Sequence, residues 1–84
     1  MDQLLDFPAR FTFRVVAEDQ AELCAACQRL VEAALGRPVE RVAERPSKSG
    51  RYRTVRLTAT VHEGAEVERA YQALNGLAGV KMLL

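Results

Sequence analysis

The sequence predicts one α+β domain, a ferredoxin-like two-layer sandwich. Its order β-α-β-β-α-β lays two helices on one face of a four-stranded antiparallel sheet of order 4-1-3-2. Three observations predict it. From residue 54 to 61, Val55, Leu57, Ala59 and Val61 alternate strictly with Thr54, Arg56, Thr58 and Thr60, the period of a strand with one wet face. A stretch of helical period stands on each side of that strand, and each closes on a glycine. Strand-like runs flank the pair, so two right-handed βαβ crossovers share one sheet, with strands one and three central and two and four at the edges.

Taken in order, residues 1–8 read as a short arm. Leu4, Leu5 and Phe7 gain by lying back on the domain, and Pro8 separates the arm from the first strand. Strand one spans about Arg10 to Ala17, with Phe11, Phe13 and Val15 inward. Asp19 and Glu22 have capping-box spacing for helix one, whose apolar stripe is Leu23, Cys27, Leu30, Val31, Ala34 and Leu35. Gly36 offers the left-handed position that ends a helix, and Pro38 bars continuation. Strand two, about Val39 to Arg45, is charged and poorly alternating, as suits a sheet edge, with Val39, Val42 and Ala43 to bury. After strand three, Glu63-Gly64-Ala65-Glu66 opens helix two with stripe Val67, Ala70, Tyr71 and Leu74, stopping at Gly76. Gly79 turns the chain into a last strand, Val80 to Leu84. Val80 and Met82 are expected in the core. The opposite sheet face should carry Thr12, Arg14, Val16, Arg56, Thr58, Thr60, Lys81 and Leu83 and stay uncovered.

The bulk numbers exclude whole classes. Eighty-four residues are one domain, and 12 cations against 11 acids leave a net charge of +1, with no global pull toward nucleic acid or anionic membrane. No run is long enough to span a bilayer, and Met1 to Asp6 lacks the features of a signal peptide, so a cytoplasmic protein is expected. Two cysteines cannot make a disulfide framework.

Each chemical motif has a plainer reading. Cys24-Ala25-Ala26-Cys27 has redox or zinc spacing, but a reactive thiol belongs at a helix N-terminus. With Asp19 as cap both thiols lie beyond the first turn, and His62 is the single histidine available as a further ligand. Inert packing is expected, with no metal and no cofactor. His62 ends a strand with no nucleophile beside it, and no enzyme is expected. The loop from Arg45 to Arg53 is the strongest candidate. Lys48, Arg51, Tyr52 and Arg53 surround backbone N–H groups that serine and glycine turns would free for an anion. Arg14 and Arg56 on the open sheet face extend that basic surface. RNA binding would need aromatics on the central strands, where threonine and arginine stand instead. The last strand, Lys81 to Leu84, is a second candidate, as an apolar edge able to pair with another chain.

Leu4-Leu5-Asp6-Phe7-Pro8 with Phe11, Phe13, Arg14 and Val15, then Pro46-Ser47, Gly50-Arg51-Tyr52, Tyr71, Leu74 and the ending Val80-Lys81-Met82-Leu83-Leu84, resembles the YbeD-like small bacterial proteins of unknown function. The resemblance covers nearly the whole chain. It implies a ferredoxin-like fold similar to ACT regulatory domains, which bind small effectors such as amino acids. ACT domains commonly carry a glycine in the turn after strand one. This chain has Ala17-Glu18-Asp19-Gln20 there, whose acids would repel an effector carboxylate.

The expectation is therefore a non-catalytic regulatory or adaptor module working through an unidentified protein partner. Lys48, Arg51, Tyr52, Arg53, Arg14 and Arg56 are its candidate contact residues. The alternative is an ACT-like sensor of a small metabolite at a homodimer interface, and weak RNA binding comes third.

Overall fold

The computed structural model describes residues 7–83. The elements are β1 (Ala9–Glu18), α1 (Leu23–Leu35), β2 (Arg41–Pro46), β3 (Tyr52–Val61), α2 (Gly64–Asn75) and β4 (Val80–Leu83). The strands form one antiparallel sheet in the order β2-β3-β1-β4, so the expected fold class and strand order hold. Among the described residues no helix is long and apolar enough to cross a membrane. The expected packing of the arm at residues 1–6 lies outside the described residues, and Phe7 is exposed.

The central pair β1–β3 is in register from Ala9↔Val61 to Glu18↔Tyr52. That register puts Phe13, Val15 and Ala17 on the same face as Val55, Leu57, Ala59 and Val61, and all seven are fully buried. Helix α1 covers them with Leu23, Cys27, Val31 and Leu35, and α2 with Ala70 and Leu74. Each large aliphatic side chain so buried contributes about 1.5–3 kcal/mol. Phe11, Phe13 and Tyr71 meet edge to face, with Phe13 and Tyr71 centroids 5.2 Å apart.

Three local expectations are corrected. Asp19 does not cap α1. Its N–H donates to the Arg51 carbonyl at 2.9 Å, continuing the strand register, and its carboxylate is held by Arg53. The helix instead starts at Leu23 behind Glu22, which takes left-handed φ 59 and makes no side-chain cap. Gly36 does end α1 in left-handed geometry, φ 73, with its N–H donating to the Glu32 carbonyl. α2 stops at Gly76 as expected, there in right-handed geometry, φ −80, and Gly79, φ 87, makes the expected turn into β4.

In β4, Val80 pairs with Ala17 while Met82 pairs with Val16 and Leu83 with Val15, so Lys81 is the extra residue of a β-bulge. The bulge reverses the alternation expected from the sequence. Met82 joins Val16 on the open face, 52% exposed, while Leu83 packs against the core. In β2, Val42 lies opposite Leu57 and packs on the core. Ala43 lies opposite Arg56 and is exposed rather than buried.

Candidate functional site

Backbone hydrogen bonds fix which groups of the sheet are spoken for. The Asp19 N–H points to β3, at Arg51, and the Glu18 N–H points to β4, at the Gly79 carbonyl, both at 2.9 Å. Strand alternation then directs the N–H and C=O of odd residues of β1 toward β3 and of even residues toward β4. Arg14↔Arg56 is consequently a pair with no hydrogen bonds between its backbones, the arrangement in which facing side chains come closest.

On the open face two arginines thus stand directly opposite each other in the register. Arg41, opposite Thr58, and Arg45, opposite Thr54, add charge from β2. Among the described residues no carboxylate forms an ion pair with Arg14, Arg41, Arg45 or Arg56. Hydroxyls lie between them, Thr12 and Thr58 sharing a hydrogen bond of 2.9 Å. At one end the charge is compensated. Glu40 accepts from the Thr60 hydroxyl and binds Arg10 at 3.1 Å, and these bonds, the Thr60 one most, hold its carboxyl below the usual range. A groove of about 470 Å³ runs here between Arg10, Thr12, Glu40, Arg41 and Thr58.

The candidate loop is closed on itself. The Ser47 N–H donates to the Tyr52 carbonyl, Gly50 N–H to the Ser47 carbonyl, Arg51 N–H to Ser49 Oγ and Tyr52 N–H to Ser47 Oγ. Four of the N–H groups expected to be free for an anion are therefore satisfied within the hairpin, two of them by serine hydroxyls that turn back on it. Lys48 and Arg51 remain exposed at its tip.

Arg53 belongs elsewhere. It lies opposite Ala17, on the helix side of the sheet, away from Arg14 and Arg56. Its guanidinium binds Asp19 and Glu44 at 3.0 Å each, which raises its pKa, Asp19 contributing most. It ties the β1–α1 loop to β2 and β3. A cavity of about 260 Å³ next to it is lined by Asp19, Gln20, Glu22, Leu23, Cys24 and Glu44.

The late start of α1 places Cys24 in the first helical turn, contrary to the expectation that both thiols lie beyond it. Its surroundings oppose the reactivity such a position can confer. Burial and then the Glu44 carboxylate raise the Cys24 pKa, and burial pushes Cys27 to about 11. A raised pKa leaves the thiol rather than the nucleophilic thiolate at neutral pH. Among the described residues no group of His, Cys, Asp and Glu is arranged to hold a metal. His62 is exposed beyond the end of β3.

Residues 2–84 match the family model described as a protein of unknown function (DUF493). The chain belongs to this family. A UPF0250 protein of Yersinia pestis (strain Pestoides F) is 33% identical over 85 residues, covering 100% of this chain and 95% of its own. A UPF0250 protein of Pectobacterium carotovorum subsp. carotovorum (strain PC1) is 32% identical over the same coverage. The resemblance to a small bacterial family of unknown function is thereby borne out. The solution structure of protein HP0495 from H. pylori superposes with a TM-score of 0.82 over 99% of this chain and 88% of its own. At 18% identity it speaks for the fold alone.

One clamp escaped the sequence reading. Arg37, just past the end of α1, forms a two-pronged pair with Glu66 in the first turn of α2, both bonds 2.9 Å, and donates also to the Thr60 carbonyl. Glu66 accepts the His62 N–H as well. The Arg37 bonds, then the His62 one, hold its carboxyl at about 2. Glycine-arginine after one helix and an acid in the first turn of the next was the available signal, but it does not specify that the two meet.

Proposed function

We propose that the chain is a non-catalytic adaptor or regulatory module that docks an acidic protein surface on the open face of its sheet. The carrying observation is the Arg14–Arg56 opposition. Like charges placed directly across a strand pair cost stability, on the order of 0.2–1 kcal/mol, and an acidic partner would turn that cost into two charge-assisted contacts. Arg41 and Arg45 widen the basic area, and Tyr52, on the open side of β3, borders it. Lys48 and Arg51 could steer approach from the hairpin tip. Arg53, committed to two carboxylates, is a framework residue in this reading.

The test is capture of nuclease-resistant protein partners by the parent and by R14E/R56E. Capture should fall about tenfold or more in the variant, while its unfolding midpoint stays at or above the parental value. Undiminished capture by a folded variant removes the open face from the function. An effector bound near Ala17 to Gln20 is less well supported. The cavity there presents Asp19, Glu22 and Glu44, and Arg53 is already neutralised. RNA binding would have Tyr52 alone to stack on at the border of this face, since Phe11, Phe13 and Tyr71 cluster on the helix side.

A further inference from the structure

Strand β4 is shorter than the strand it borders. Its pairing with β1 runs from Ala17 to Val15 and no farther among the described residues, whereas β1 extends back to Ala9. The alternation set by Glu18 and Asp19 aims the N–H and C=O of Arg10 and Thr12 toward that side. Both residues present their backbone at the sheet edge, and among the described residues these four backbone groups have no partner on that side. A row of such groups is a template for one more strand.

The side chains flanking the row specify the chemistry of that strand. Arg10, Thr12 and Arg14 project on the open face. Half-buried Phe11 and Tyr71 lie on the helix face. We propose that this stretch of β1 receives an extended segment of a partner protein as an added antiparallel strand, with acidic residues alternating with apolar ones. The acid opposite Thr12 would reach diagonally to Arg14, which has no ion-pair partner among the described residues. The acid opposite Arg10 would share that guanidinium with Glu40, and the apolar residues would cover Phe11. This rests on the open-face reading and deepens it by giving the shape of the partner's docking element. In antiparallel pairing, residues whose N–H points at Arg10 or Thr12 lie directly opposite them. The acidic residues therefore carry the pairing N–H groups.

A capped (Glu-Val)4 octapeptide added to the whole ¹⁵N-labelled chain tests this, beside the same peptide N-methylated at its four glutamates. Methylation keeps every charge and removes the pairing donors. The parent peptide should slow exchange of the Arg10 and Thr12 amides about tenfold, and the methylated one should not. Equal effects of the two peptides overturn strand addition, as does no slowing at millimolar peptide. Slow exchange of the Arg10 and Thr12 amides in the chain alone overturns it too, because the edge would already be filled. The two readings fail separately. Binding of both peptides through Arg14 and Arg56 keeps the face and loses the edge. Undiminished partner capture by R14E/R56E, with amide protection by (Glu-Val)4 intact, loses the face and keeps the edge.

Discussion

Glu66 is a buried carboxylate that stays ionised because three donors converge on it: two guanidinium N–H groups of Arg37 and the backbone N–H of His62. Its carboxyl is drawn from an ordinary 4.5 to about 2. A depressed folded-state value means that the unfolded chain binds the proton more tightly. The stabilisation is therefore complete above about pH 4.5 and is lost as the pH falls toward 2. Glu66→Gln keeps the shape but removes the charge. The variant should unfold at lower denaturant than the parent at neutral pH, and the gap should close between pH 4.5 and 2. Urea midpoints across that range measure it, and a gap independent of pH would mean that the clamp works by packing alone.

At the scale of elements, the corrections share one cause: a neighbour outranked a local preference. Asp19 has the spacing of a cap, yet its N–H bond to the Arg51 carbonyl, just before β3, and its carboxylate bond to Arg53 hold it in the strand's continuation. Gly36 was readable because its role depends on its own helix alone. The alternation of Val55 to Val61 was readable because every inward residue meets the same core. The bulge at Lys81 was not, since it arises where the turn at Gly79 must join β4 to β1. That turn is itself testable. Gly79 has φ 87, and a Cβ there would lie 3.0 Å from Gln20 Nε2 and 3.4 Å from Glu18 Cβ. Gln20 already donates to the Ala78 carbonyl at 3.0 Å, so its side chain is held in place. Gly79→Ala should cost about 1–2 kcal/mol from left-handed strain, read as a lower urea midpoint at unchanged slope.

At the scale of the molecule, a net charge of +1 conceals a sorted distribution. Carboxylates gather against Arg37 and Arg53 on the helix side and against Arg10 at one end. The middle of the open face keeps Arg14, Arg41, Arg45 and Arg56 without ion-pair partners among the described residues. Composition could not show this, because the sorting depends on register. Arg53 and Arg56 are three residues apart, and period-two alternation sends them to opposite faces. Stability and docking should therefore respond to salt in opposite senses. The Debye length shrinks from about 30 Å at 0.01 M to about 3 Å at 1 M, so added salt relieves the Arg14–Arg56 repulsion and also weakens attraction to an acidic partner. Arg14→Glu places opposite charges across the same pair and should stabilise the isolated domain by about 0.2–1 kcal/mol, a gain that salt reduces. The same substitution should lower partner capture. A variant that is more stable yet binds less would identify the opposed arginines as a feature kept for binding at the expense of the fold. If the substitution instead destabilises the domain, the two guanidiniums are not repelling each other, and their opposition gives no reason to expect an acidic partner.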